Sequence, residues 1–402
     1  MKTIVDKARI EEMFVRGTVM EAFPSKEKLM DRLLSGERIK IYYGLDPTHT
    51  AIHLGHAKNL IFLEELRQLG HEVVVLFGDF TAMIGDPTSK AVARKQLTAD
   101  EVKMNMTTWV GQIRPLIDFD DAENPATIAH NSEWLSKLSF ADVVNLASNF
   151  TVQQMLERDM FEKRLKDNVP IHVHEFMYPL MQGYDSVAMD VDIEMCGMDQ
   201  KFNALAGRTL LKKIKNKEKF VFITTLLENP KTKEKMMSKS LGTGVFLDFE
   251  AGKMYGSLMA QDDENTRQLF VDCTWLDLED IEHILGVDNP RDAKTCLAFE
   301  ITKIYHGEEK ARLASKDFDN TFKSGNLPEN IKEVKVKTGK LLMDVVSREK
   351  LVSSKSDFRR LIAEGAVSNA ETKEKITDPF FKITDDVIIR IGPLRFLKIV
   401  VG

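Results

Sequence analysis

The chain has only three cysteines in 402 residues, Cys196, Cys273 and Cys296, and none belongs to a CxxC pair. That scarcity argues against a disulfide framework or a cysteine-built structural zinc, and leaves buried free thiols as the reading. Long apolar runs are lacking too, since no stretch approaches the roughly 20 residues needed to span a bilayer. Met1 to Ile10 alternates charged and apolar side chains and carries no signal-type apolar core, so the expected compartment is the cytoplasm. Internal repeats and low-complexity tracts are also missing. What is present, 43% hydrophobic and 29% charged residues, is ordinary for a globular protein. The length exceeds one compact core, and two or three domains are expected.

Charge is unevenly spread. The net value is −6, yet residues 331–402 hold 15 Lys+Arg against 10 Asp+Glu, a local +5 that leaves −11 for the rest. A basic tail on an acidic body suits one module that meets a phosphate backbone and another that does not.

The first forty residues carry mixed helical periodicity and predict a helical lead-in. Arg38 to Leu45 is the first strong strand. Helical spacing follows from Ile52 through Leu69 and stops at Gly70, placed as a C′ residue. The run Val73-Val74-Val75-Leu76-Phe77 is too continuously apolar for a half-exposed strand. Strand, helix and apolar strand make a βαβ unit in a parallel sheet covered on both faces. Thr98 to Glu101 matches a capping box, and Ala188 to Met195 reads as a further internal strand. After Glu250 the pattern turns helical. The Lys- and Glu-rich stretch 329–340 reads as a linker, and the last sixty or so residues as a compact α+β piece with a helix near Ser356–Ala363.

Two distant segments carry the chemistry. Tyr42-Tyr43-Gly44-Leu45-Asp46-Pro47-Thr48 leads into His53-Leu54-Gly55-His56, a strand, a turn and a helix start. Backbone N–H groups and two imidazoles there point at one spot, as an ATP phosphate chain requires. The second segment, Met237-Ser238-Lys239-Ser240, is a lysine-bearing loop able to close over the same phosphates. Gly85-Asp86-Pro87-Thr88-Ser89-Lys90 lacks P-loop spacing. Tyr178, Gln182 and Asp185 sit at i, i+4 and i+7, a polar helix stripe among buried-looking neighbours that a bound substrate would satisfy.

Together these segments resemble the HIGH and KMSKS signatures of class I aminoacyl-tRNA synthetases, in the bacterial tyrosyl branch. The resemblance covers nearly the whole chain. It implies a Rossmann-like parallel-sheet catalytic domain at 1–228 with a dimer-contact insertion, and a KMSKS-type loop at 229–250. It further implies a helical anticodon-binding domain at 251–328, a linker at 329–340, and at 341–402 a small RNA-binding module of the type named after ribosomal small-subunit protein four. His53, His56 and Lys239 are the implied catalytic residues. Gly44, Asp46, Thr48, Gly55, Asp199, Lys235 and Ser240 join them at ATP, accompanied by Mg²⁺ on the phosphates and no protein-held metal. Family members usually carry a lysine where Met236 stands, displaced here to Lys235, and a small hydroxyl residue where Met198 stands, so that Met198 is expected to crowd the adenosine side.

For tyrosine, the resemblance implies Tyr42 and Asp185 at the phenol, Tyr178, Gln182 and Asp86 near the ammonium, Gln200 on the carboxylate side, and Asn131 lining the pocket. Lys355, Arg359 and Arg360 would meet RNA. The apolar residues of 150–171, with Met155, Met160 and Phe161, would join two subunits in a homodimer. No editing insertion is visible. The implied activity is tyrosine–tRNA ligation. A tryptophanyl enzyme and a non-catalytic RNA binder with the same fold stay as alternatives.

Overall fold

The computed structural model describes residues 3–87, 96–157, 159–228, 236–237, 244–287, 289–323, 331–349, 351–352, 354–392 and 395–402. They divide into two compact units, 1–249 with 261–305, and 250–260 with 306–402. The helical segment 251–328, expected as one domain, is thus shared between both units.

The first unit is built on β1 (Val19–Phe23), β2 (Lys40–Leu45), β3 (Glu72–Phe77), β4 (Thr127–His130), β5 (Ile193–Gly197) and β6 (Phe220–Thr224), in the spatial order β1-β6-β5-β2-β3-β4. All neighbours from β6 to β4 run parallel, and β1 closes one edge antiparallel to β6. β1 lies inside the stretch expected to be helical, where helices Lys7–Val15 and Lys26–Leu34 flank it. A short edge strand with Val19 alone fully buried gives little alternation to read. In contrast, Val73 to Phe77 are all buried, the covered-sheet signature. Each such side chain contributes about 1.5–3 kcal/mol on burial.

Strand order reverses between β2 and β5, which opens a crevice at their carboxyl ends. α1 (Leu54–Gln68) leaves that crevice from β2, with His53 extended at its N-cap. It ends as a Schellman turn: His71 N–H donates to Leu66 O at 3.2 Å and Gly70 N–H to Arg67 O at 2.8 Å, with Gly70 at φ +90°. The Thr98–Glu101 capping box is present. α2 (Met177–Met189) and α3 (Lys201–Lys215) pack closely where Gly183 faces Gly207. Ala188 and Met189, expected in a strand, finish α2, because Asp190 adopts a left-handed conformation that closes the helix before β5 begins.

In the second unit, helices Ala251–Met259 and Glu308–Lys323 meet through the Tyr255 hydroxyl, which donates to Ser315 Oγ at 3.1 Å. A four-stranded sheet follows, made of β7 (Glu333–Val336), β8 (Val367–Asn369), β9 (Val387–Ile391) and β10 (Arg395–Val401), ordered β7-β10-β9-β8. β7 falls within the expected linker. Val334 and Val336 pair in register with Ile399 and Val401, which overrides the local charge pattern. The helix Lys355–Ala363 is capped by Ser354 and buries Phe358 against Val346, Ile389 and Leu397.

His71, following α1, is 1% exposed and neither ring nitrogen has a hydrogen bond. Burial, with Arg32 and Arg38 nearby, pushes its pKa down to about 4. The native state therefore holds the neutral ring, and its contribution is complete above the unfolded value of ~6.5. That contribution is lost as pH falls from there to about 4, at up to ~1.4 kcal/mol per unit. Urea midpoints of His71→Leu are expected to fall less steeply than wild type across that window.

Candidate active site

A cavity of about 730 Å³ opens at the β2/β5 crevice. Its lining includes Tyr42, Asp86, Asn131, Tyr178, Gln182, Asp185 and Gln200, together with Gly44, Asp46, Thr48, His53, Gly55, His56 and Asp199. Residues read from five separate segments thus share one space. Lys235, Lys239 and Ser240 lie outside the described residues.

One end of the cavity is a closed polar cluster. Asp185, 2% exposed, accepts from Trp134 Nε1 at 2.8 Å through Oδ1 and from Asn131 Nδ2 at 3.2 Å through Oδ2. Burial raises its carboxyl well above the ordinary range, and the two donors oppose that rise. Asn131 is held in turn, its Oδ1 accepting from Phe80 N–H at 2.9 Å. The Tyr42 hydroxyl meets Ser186 Oγ at 3.0 Å, and burial with Glu194 and Asp185 nearby raises its pKa, so it stays a neutral phenol.

Nearer the mouth, the Tyr178 hydroxyl donates to Asp46 Oδ2 at 2.9 Å, and Thr81 Oγ1 donates to Asp46 Oδ1 at 2.8 Å. Gln200 Nε2 donates to Asp86 Oδ2 at 2.6 Å. Asp46 and Asp86 give this region an anionic character suited to a cationic group. Lys58, 2% exposed, also lines the cavity and donates to Thr225 Oγ1 at 2.9 Å, with burial lowering its pKa.

The His53 and His56 rings stack with centroids 4.2 Å apart, and His56 Nδ1 lies 3.1 Å from the Tyr43 hydroxyl. A Cβ at Gly55 would lie 2.9 Å from the His53 ring, so the glycine makes room for that stack. Residues 245–247 reach the same place by backbone pairing. Leu54 N–H donates to Val245 O at 3.0 Å and Leu247 N–H to Ile52 O at 2.9 Å, around a bridge of His53 with Phe246. Met237 is buried beside Gly55, its Cγ 3.8 Å from that Cβ position. Segments almost two hundred residues apart are thus tied at the start of α1.

Comparison with known proteins gives the family. Residues 34–323 match the family model of tRNA synthetases class I (W and Y). The chain belongs to that family. It is 41% identical to a tyrosine–tRNA ligase of Carboxydothermus hydrogenoformans, across 98% of this chain and 99% of that one. It is 40% identical to tyrosine–tRNA ligase 2 of Clostridium acetobutylicum, across 95% and 96%. A C-terminally truncated mitochondrial tyrosyl-tRNA synthetase of Aspergillus nidulans shares the fold with a TM-score of 0.67 and 22% identity, over 78% of this chain and 94% of that one.

Within this class I frame, Met198 departs from its expected place. It is absent from the cavity lining and packs with Cys196, Ala204 and Ile223 instead. Met155 and Phe161, expected at a subunit surface, are buried at 6% and 0% exposure, Phe161 against Phe176. In the second unit Arg360 is tied to Asp357 and Glu364 and Lys355 to Asp344, while Arg359 lies over the Phe380 ring at 5.9 Å. Trp134, Thr81, Ser186 and Glu194 escaped the sequence reading. A lone carboxylate inside the apolar strand Ile193-Glu194-Met195-Cys196 was the available signal for one of them.

Gly78 shows how tightly the mouth is built. A Cβ there would come within 2.1 Å of Asp46 Oδ1 and 2.4 Å of Thr81 Oγ1. Gly78→Ala is expected to break the Asp46–Thr81 contact and lower stability by about 1–3 kcal/mol, read from urea denaturation.

Proposed function

We propose that this chain is a tyrosine–tRNA ligase, which activates L-tyrosine with ATP to tyrosyl-adenylate and pyrophosphate and then esterifies the terminal adenosine of its tRNA. The observation that carries the choice of amino acid is the buried Tyr42–Asp185 end of the cavity. A phenol there donates to Asp185 and accepts from Tyr42. Phenylalanine would leave both unmatched, at a cost of about 1–3 kcal/mol for each buried group. An indole supplies a donor and no acceptor, which disfavours tryptophan. The names of the full-length relatives favour the same choice.

Tyr178, Gln182 and Asp86 take the ammonium, with Asp46 holding the Tyr178 hydroxyl, and Gln200 lies on the carboxylate side. The carboxylate oxygen attacks the α-phosphorus, the bond to the bridging oxygen breaks, and pyrophosphate leaves. Little proton transfer is needed, so the residues act by positioning and by stabilising charge. Tyr43, kept neutral by burial, has its hydroxyl 3.1 Å from His56 Nδ1; with the phenol as donor there, the imidazole carries its proton on Nε2 for the phosphates. His53 stacks on that ring and shares the role. Asp199 takes the ribose, Gly44, Thr48 and Gly55 allow close approach, and Lys235, Lys239 and Ser240 supply charge and hydrogen bonds for the phosphates.

Mg²⁺ would accompany ATP on its phosphate oxygens and would neutralise charge there. No helix among the described residues is long and apolar enough to cross a membrane.

Arg359 with Lys355 and Arg360 forms the RNA-facing edge of the C-terminal module, and the helical segments before it meet the anticodon. A homodimer is supported by the exposed apolar side chains Phe140, Val144, Val152, Leu165 and Val173, 52–85% exposed within one stretch of sequence. The non-catalytic alternative is disfavoured because a binder has no need of a buried phenol-selective cluster.

Asp185→Asn keeps the side chain's shape and removes its charge. In amino-acid-dependent ATP–pyrophosphate exchange it is expected to lower the tyrosine-over-phenylalanine ratio of kcat/KM by roughly 10- to 100-fold, with KM for ATP changed little. An unchanged ratio would remove the pocket assignment.

A further inference from the structure

Behind the phenol end of the cavity lies a buried ion pair that the activation chemistry leaves unused. Lys219, at the entrance to β6, is 0% exposed and pairs with Glu194 Oε2 on β5, itself 1% exposed. Its ammonium also donates to Ser186 Oγ at 2.7 Å and lies 5.9 Å from the Tyr42 ring centroid. The space is made for it: a Cβ on Gly207 of α3 would lie 2.5 Å from Lys219 Nζ. A salt bridge so deep costs several kcal/mol per ion in desolvation and is weak evidence for stability. Its position against two substrate-facing side chains gives it another role.

We infer that the Lys219–Glu194 pair is a positioning device that sets the hydrogen-bond polarity of both Tyr42 and Gln182 toward bound tyrosine. The inference rests on the pocket reading above. An ammonium has hydrogens and no lone pair, so Ser186 accepts from Lys219 and has one proton to give. The nearer acceptor is Tyr42 Oη at 3.0 Å, against 3.4 Å to Glu194 Oε2, which already holds the ammonium. With the Ser186 proton on Tyr42 Oη, Tyr42 is left with its own hydrogen, for which Glu194 is the competing acceptor; the ammonium and Gln182 already occupy that carboxylate, so the Tyr42 hydrogen is released to the substrate phenol oxygen.

On the other side, ionised Glu194 can only accept. It takes Gln182 Nε2 at 3.0 Å through Oε1, which fixes the amide so that Gln182 Oε1 is left over. That oxygen is buried and has no hydrogen-bond partner, on a residue lining the cavity. It is the acceptor for the substrate ammonium. One ion pair thus orients a donor at the phenol end and an acceptor at the amine end. Asp185, sharing the phenol end, keeps its complementary acceptor role only while Tyr42 is the donor.

The two ends predict separable kinetic effects, measured on the full chain by ATP–pyrophosphate exchange with tyrosine and with phenylalanine. The paired variant Lys219→Gln with Glu194→Gln removes both charges and leaves polar groups of similar length. With Gln182 free to flip, KM is expected to rise for both amino acids. With Tyr42 unpolarised, the tyrosine-over-phenylalanine ratio is expected to fall on the order of tenfold, as for one lost buried hydrogen bond. Ser186→Ala leaves the ion pair and Gln182 intact, so it is expected to lower the ratio without the shared rise in KM. Combined with the paired variant it should reduce the ratio no further. A purely structural pair would lower active enzyme or thermal stability with ratio and KM unmoved, and that result in either folded variant overturns the inference. Asp185→Asn separates the levels. If it keeps full discrimination the pocket reading fails, whereas loss there with an unchanged ratio in Ser186→Ala and the paired variant removes the present inference alone.

Discussion

Carboxylates taken out of water must be met by donors, and the interior of this chain is arranged around two that are. Asp185 and Glu194 are 2% and 1% exposed, on α2 and on the neighbouring strand β5. An isolated buried carboxylate is too costly to persist ionised. Trp134 and Asn131 are accordingly fixed on the first, and Lys219 and Gln182 on the second. Those partners in turn dictate where Ser186, Tyr42 and Phe80 sit. Each donor on these two carboxylates is thereby held in one orientation, while Gln182 Oε1 is left without a partner.

The second organising element is backbone. A parallel sheet reverses its strand order between β2 and β5, and the crevice this leaves is where α1 begins. The bridge between His53 and Phe246 ties a segment almost two hundred residues away to that same helix start. The two histidines therefore lie at the helix start on one side of the crevice, and the Asp185 cluster lies in the same cavity. In-line displacement at the α-phosphorus requires the two substrates to be presented from opposed directions.

Much of this was legible in the residues. The buried run Val73–Phe77, the Gly70 helix stop, the Thr98–Glu101 box and the Tyr178, Gln182, Asp185 stripe are local patterns with a single physical reading, and the structure carries each of them. What escaped was settled by tertiary pairing. β1 and β7 are short edge strands whose partners lie more than sixty residues later, and Ala188–Met189 were claimed by a helix that only the left-handed Asp190 ends. Trp134 and Lys219 look unremarkable in sequence, since their importance comes from the acids they face. Met198 was misplaced for the converse reason, because motif position suggested the nucleotide while its side chain packs into the sheet core.

The most direct measurement is ATP–pyrophosphate exchange by the unmodified chain, without tRNA, comparing tyrosine, phenylalanine and tryptophan. Exchange driven by tyrosine, and by the other two only at far lower kcat/KM, is the result that follows from a donor and an acceptor meeting one phenol oxygen. Exchange driven equally by tryptophan, or none with any of the three, would contradict it.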